Sequence, residues 1–440
     1  MSQKFNNTTT ETKTDTIKQI STREMLQAIE NSEIKIIDVR SVNAYNGWKE
    51  QNEMRGGHIK GAKSLPAMWA EYIDWIEIVR SKKISPRDSL IIYGYDNPQT
   101  AKVAELFLRS GYEKVSVYHN FVDEWSSHEE YPMQHLKRYR HLISAGWLRE
   151  LLTHGTAPEY ENKKIILCHA HYHNKEDYEK GHIPGAVAVD TNSLESTETW
   201  NRRSPQELKQ TLESLGITHN TTVILYGRFS DPDIEDPFPG SSSGHLAAFR
   251  CAFIMMYAGV KDIRILNGGL QSWKDAGFET TGEVTVKEPS AEFGAEIPVH
   301  PEIVVDLEEA EKILKAENKN LVCMRSWKEY IGEVSGYNYI EKKGRIPGAV
   351  FADCGSDPYH LQNYRNLDHT TREYHEIEEN WAAANITPDK FNAFYCGTGW
   401  RGSEAFFNAW FMGWPSIALF DGGWFEWSNH NYPFETGVPK

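Results

Sequence analysis

The sequence predicts an α/β protein made of three consecutive copies of one module, each a small parallel sheet with helices on both faces. Three recurrences predict it. An apolar run closes on Tyr93-Gly94, Tyr226-Gly227 and Tyr395-Cys396, and in each copy an Ile (Ile84, Ile217, Ile386) stands nine positions before the Tyr. An Ile-x-Gly-Ala turn comes earlier in each copy, as His58-Ile59-Lys60-Gly61-Ala62, His182-Ile183-Pro184-Gly185-Ala186 and Arg345-Ile346-Pro347-Gly348-Ala349. A Trp closes each copy: Trp125 and Trp427 lie 31 residues after Gly94 and Cys396, and Trp273 lies 15 further from Gly227. Self-similarity of this kind marks a repeated structural unit. Strand-like runs alternating with helical stretches mark a parallel sheet whose connections cross over as helices.

The elements follow in order. Residues 1–19 are polar and rich in Thr, Asn and Lys, and read as a disordered tail rather than an export signal. The copies then occupy residues 20–135, 136–290 and 291–440. Each opens with a strand-like run (34–40, 164–169, 321–325), passes the Ile-x-Gly-Ala turn and reaches the Tyr-terminated run. A helix then leads to Gly111, Gly259 or Gly413, followed by a short strand (115–117, 263–265, 417–419) and the Trp. Sheets of this type carry ligands outside the carboxyl ends of their strands, so chemistry is expected just after the Tyr. Only the third copy places a nucleophile there. Gly94 and Gly227 have no side chain to react, which makes the first two copies catalytically silent.

The stretch Tyr395-Cys396-Gly397-Thr398-Gly399-Trp400-Arg401-Gly402-Ser403 has the composition of an active-site loop between a buried strand and a helix. Gly397 and Gly399 let the backbone turn so that successive N–H groups converge on an anion. A thiolate on Cys396, or the persulfide it becomes, would be stabilised there by the helix end and by Arg401, with a pKa below the roughly 8.5 of a free thiol. An inert buried cysteine is the plainer reading, but two glycines, a following Arg and a helix start are an odd setting for one.

Four residues separate Cys396 from Arg401, and the loop resembles that of the rhodanese (sulfurtransferase) family. Phosphatases and arsenate reductases of related fold use a loop one residue longer. The resemblance covers nearly the whole chain beyond the tail and implies a thiosulfate sulfurtransferase with three rhodanese-like domains. Cys396 would be the nucleophile, and Gly397, Thr398, Gly399, Trp400 and Arg401 would bind the substrate. It implies a small anionic sulfur donor and a thiol, cyanide or protein acceptor, with no cofactor. Cys-Gly-Thr-Gly is also similar to the loop of mercaptopyruvate sulfurtransferases, which keeps that donor as an alternative. A persulfide carrier or docking protein in a sulfur relay is a second. One departure bears on substrate: family members often carry an Arg a few residues after the catalytic domain's Asp-x-Arg, whereas here Ser326-Trp327-Lys328-Glu329-Tyr330 offers Glu329.

Other clusters read as structure. His169, His171 and His173, with His182 nearby, would share a face on a strand as metal ligands could, but a polar loop is the expectation. The acidic stretch 230–244 lacks the Gly and Glu of a calcium loop and reads as a surface loop. Cys354 could resolve a persulfide, though a structural thiol is expected. Cys168 and Cys323 are expected at the place Asp38 holds in the first copy. No metal is implied.

The chain has 440 residues, a net charge of −15 and five cysteines without a Cys-x-x-Cys pair. Its charge argues against nucleic acid and anionic membranes as partners. The cysteines argue against a disulfide framework or a cysteine zinc site. No apolar stretch is long enough to span a membrane; the best, residues 247–260, contains Arg250. The expected compartment is the cytoplasm as written, or the periplasm if an export signal has been removed.

Overall fold

A computed structural model describes residues 17–162, 164–173, 175–229, 244–359 and 361–439. It contains three five-stranded parallel sheets with one strand order. In the first, the order is Lys18–Gln19, Lys114–Tyr118, Ser89–Tyr93, Ile34–Asp38, Lys63–Ser64. The second runs Leu142–Ile143, Asp262–Leu266, Thr222–Tyr226, Ile165–His171, Val187–Asp190. The third runs Val304–Val305, Ile417–Phe420, Phe391–Tyr395, Lys319–Cys323, Val350–Phe351. The chain divides into two compact units, Met1–His135 with the first sheet and Leu136–Lys440 with the other two. Lys18 and Gln19 pair with Ser116 and Val117, so the expected tail does not extend to residue 19. Its residues 1–16 lie outside the described residues, as does most of the acidic stretch 230–244.

Alternation along the strands builds a core on each face. In the first unit Ile37, Leu90, Ile92, Val115 and Val117 pack with Trp75, Val79, Val103 and Phe107 of the helices Trp75–Ser81 and Asn97–Arg109. Their neighbours Ile36, Ile91 and Tyr93 pack on the other side with Met25 and Ala28 of the helix Thr22–Ala28 and with Trp125. Successive strand residues point to opposite faces, so one sheet supports both layers. The closing tryptophans are equivalent in detail. Trp125, Trp273 and Trp427 are buried and donate Nε1–H to the carbonyls of Pro132, Glu279 and Pro433.

Register corrects two expectations. Asp38 lies opposite Tyr93, and Cys323 opposite Tyr395, but His169 rather than Cys168 lies opposite Tyr226. His169 and His171 belong to the strand Ile165–His171 and are buried, not in a polar loop. His182 stacks on Tyr178 at 3.7 Å, as His58 does on Tyr45, and Arg345 lies over Tyr330. Among the described residues no three potential metal-ligating side chains form a cluster, and no helix is long and apolar enough to cross a membrane.

The apolar stretch that includes Arg250 is the helix Gly244–Ala258, buried nearly all round, as expected of a helix without a polar face. It lies between its own sheet and the helix Trp400–Met412, with Phe253 against Phe406 at 5.0 Å and Phe249 against Phe407 at 5.9 Å. This contact seats the second copy beside the third.

Asp38 accepts from Arg40 Nε (3.0 Å) and Nη2 (2.6 Å) and from the Tyr93 hydroxyl (2.7 Å), and the Asp38–Arg40 pair is fully buried. Asp38→Ala leaves Arg40 with the Gly57 carbonyl (2.6 Å) and the more distant buried Glu53 carboxylate (3.9 Å), and the expected loss is about 1–3 kcal/mol, read as a lowered urea midpoint.

Candidate active site

Cys396 directly follows the strand Phe391–Tyr395, and the helix Trp400–Met412 starts four residues later. The loop carbonyls are taken up elsewhere. Cys396 and Gly397 accept from the N–H groups of Trp424 and Phe425 at 2.9 Å, and Gly399 accepts from Ser403 at 2.8 Å. The first-turn N–H groups of the helix have no intrahelical acceptor, so its positive end is offered to the loop that carries the sulfur. Both glycines are required. A Cβ on Gly397 would lie 2.8 Å from the Tyr337 ring, while Gly399 has φ +87° and a Cβ there would lie 2.7 Å from the Asp421 carbonyl oxygen.

Arg401 is fully buried, and both its terminal nitrogens donate to Glu329, each at 2.8 Å. Glu329 also accepts from the backbone N–H and hydroxyl of Ser326. Burial alone would raise the Glu329 carboxyl, but Arg401 and then Arg325 outweigh it and hold the group below its ordinary value. The loop's arginine is therefore neutralised by the residue standing where a substrate-binding arginine was expected. Cys354 lies 3.4 Å from Arg401 Nη1, and burial pushes its thiol up to about 12 against the pull of that arginine. It stays a thiol at neutral pH. Cys323 accepts from Arg325 Nε at 3.4 Å, in the place of the Asp38–Arg40 pair.

Aromatic rings form a wall around the loop. Tyr337 and Tyr339 stack at 5.2 Å, Tyr339 on Trp200 at 5.1 Å, and Trp200 on Tyr172 at 6.0 Å; Tyr172 meets Trp400 edge-on at 5.6 Å. Tyr339 remains 43% exposed and marks the mouth. The Tyr337 and Tyr339 phenols lie within electrostatic reach of Cys396. Burial raises the Tyr337 phenol well above its ordinary value, so it carries its proton.

Four of these groups come from the second copy or depend on it, and sequence reasoning missed them. Trp200 and Tyr172 supply rings. Glu195, fully buried, accepts from Trp400 Nε1 at 2.8 Å and from Arg250 Nε at 2.7 Å; burial lifts its carboxyl to about 7 against Arg250 and Trp400. No local pattern marks them, because they belong to the third copy's site only through the packing of the two copies. At the equivalent positions of the other two copies an added side chain would clash. A Cβ on Gly94 would lie 2.8 Å from Val39 Cγ2, and one on Gly227 would lie 2.1 Å from the Gly244 carbonyl oxygen.

The family model of the rhodanese-like domain matches residues 21–128, 172–276 and 306–430. Thiosulfate sulfurtransferase YnjE of Escherichia coli (strain K12) is 37% identical over 422 residues, covering 94% of this chain and 91% of that protein. Sulfur carrier protein TtuD of Thermus thermophilus is 29% identical over 298 residues, 66% of this chain and 93% of TtuD. Wild-type EanB has a solved structure that superposes with a TM-score of 0.94 at 57% identity, covering 96% of this chain and 98% of EanB. Other EanB structures contain hercynine, or ergothioneine covalently linked with a persulfide cysteine.

Two outcomes follow from the geometry. Peptide mapping after incubation with thiosulfate is expected to find the added sulfur on Cys396 and none on Cys354, whose raised pKa keeps it protonated. Gly227→Cys is expected to lower the melting temperature without creating a second persulfide, because the clash is with backbone; a stable variant carrying two sulfurs would refute this.

Proposed function

This chain belongs to the rhodanese family, as three consecutive copies of which one bears a loop cysteine, and from that premise we propose that it is a sulfurtransferase whose acceptor is hercynine and whose product is ergothioneine. In this reading the Cys396 thiolate first takes sulfane sulfur from a small donor. The imidazole carbon between the two ring nitrogens then bonds to the outer sulfur, the S–S bond breaks, and its electron pair returns to Cys396. The C–H proton moves to nitrogen. Carbon is oxidised and sulfane sulfur reduced by two electrons, and no other oxidant is needed.

The observation that carries the reading is the aromatic wall over a loop whose arginine is already neutralised. Aromatic faces attract quaternary ammonium groups, and hercynine bears one. An enzyme specialised for thiosulfate would be better served by a free loop cation, and both Arg401 terminal nitrogens are held by Glu329, so thiosulfate is read here as one loading donor among others. Tyr337 and Thr398 flank Cys396 with hydroxyls able to hold the imidazole nitrogens. EanB supports this residue by residue. Its persulfide cysteine stands two positions before the threonine altered in hercynine complexes and 59 after the tyrosine altered in ergothioneine complexes, and Cys396 stands two before Thr398 and 59 after Tyr337. The second reading, thiosulfate sulfurtransferase with cyanide or a thiol as acceptor, is favoured by the likeness to YnjE.

The test supplies thiosulfate or inorganic polysulfide together with hercynine and follows ergothioneine by mass spectrometry. Product is expected with the parent protein and none with Cys396→Ser. A parent whose persulfide discharges to cyanide but never to hercynine would favour the second reading. Trp200→Ala is expected to raise KM for hercynine about tenfold, for a cation–π contribution of about 1–2 kcal/mol. Glu329→Gln frees the charge of Arg401. It is expected to lower kcat/KM for hercynine by about tenfold or more while making loading by thiosulfate relatively faster.

A further inference from the structure

The hairpin at residues 194–203 of the second copy, with Trp200 at its tip, lies beside the third copy's loop. Its ends are tied by Arg203 N–H to Leu194 O (2.8 Å) and Ser196 N–H to Asn201 O (2.9 Å). Trp200 sits at φ +57°, a conformation costly for a bulky residue that persists only where the surroundings impose it. Its N–H donates to the Ser196 carbonyl across the turn (2.6 Å), and its own carbonyl is held by Arg250, fully buried on the helix Gly244–Ala258. Its Nη2 donates to the Trp200 carbonyl (2.9 Å), its Nε to Glu195 (2.7 Å) and its Nη1 to Asp421 (2.6 Å). Glu195 in turn holds the Trp400 indole (2.8 Å). One guanidinium thus connects the backbone of one wall tryptophan, the carboxylate gripping the other, and a carboxylate of the third copy. Asp421 is further held by the backbone N–H and Nη1 of Arg202 at 2.9 Å, and Asn201 reaches Glu426 at 3.1 Å.

We infer that Arg250 and Glu195 are positioning residues for acceptor recognition: the juxtaposition of Arg250 with Trp200, Glu195 and Asp421 fixes the two wall tryptophans relative to the Cys396 loop. This rests on the preceding reading that the acceptor lies against the aromatic wall. Sulfur loading onto Cys396 is chiefly the work of the loop, whereas transfer to a quaternary-ammonium acceptor also uses the wall. The two half-reactions therefore separate in variants of the clamp. Carboxylate chemistry makes Glu195 exacting. It accepts from both Arg250 and Trp400, whereas a glutamine can accept from one and must turn its NH₂ toward the other.

The test compares Glu195→Gln and Arg250→Lys with the parent. Three quantities are read: sulfur loading from thiosulfate by intact mass, discharge to cyanide, and KM with kcat for hercynine. Expected are a hercynine KM raised about tenfold or more with a smaller change in kcat, and falls in loading and in cyanide discharge several-fold smaller than the fall in kcat/KM for hercynine. A clamp that only stabilises the fold would lower the melting temperature and leave this ratio unmoved, and that result overturns the inference. So does a parallel fall of loading and transfer in folded variants. If the parent itself does not thiolate hercynine, the acceptor reading has failed separately. The clamp is then judged on tetramethylammonium binding by tryptophan fluorescence, where an unchanged Kd in both variants overturns it and one weakened about tenfold sustains it.

Discussion

The pair between Arg401 and Glu329 is the constraint on which the rest of the site depends. Two parallel bonds of 2.8 Å in a fully buried place are strong and geometrically specific, and each partner would be costly to bury alone. The pair takes up the charge of Arg401, the loop's own arginine. What remains to recognise a ligand is the positive end of a helix, the loop amides, two phenols and a wall of rings. That combination suits a thiolate or persulfide at the cysteine and a cation at the aromatic face.

The wall explains how the second copy, with Gly227 where the third has Cys396, contributes side chains to the candidate site on the third. The second copy cannot hold a cysteine at Gly227, because backbone occupies the space. Its helix Gly244–Ala258 instead packs on the helix Trp400–Met412 and brings Arg250 and Glu195 to the back of the loop, with Trp200 and Tyr172 at its front.

The repeated module was legible because its signals are local. Alternating apolar runs, glycine turns and a closing Trp each report on a few neighbouring residues, and they placed all three sheets. The loop from Cys396 to Arg401 was legible for the same reason. Register was not: whether Cys168 or His169 stands opposite Tyr226 depends on strand pairing, and a slip of one residue exchanges the faces. Nor was the partner of Arg401, since Glu329 lies 72 residues away and only the fold brings it near. Glu329 stood out as a departure from the family pattern, but its consequence, a neutralised arginine, needed the geometry. The contribution of Trp200, Glu195 and Arg250 was the least legible, because it arises between copies.

The charge character of the site is the central claim, and single-turnover discharge measures it directly. Protein carrying a persulfide on Cys396 is mixed with hercynine at fixed ionic strength, with tetramethylammonium or sulfate as competitor, and loss of the outer sulfur is followed by intact mass. Competition by tetramethylammonium, with sulfate without effect, is the predicted result. Competition by sulfate alone would mean that the loop still seeks an anion, and would contradict the account.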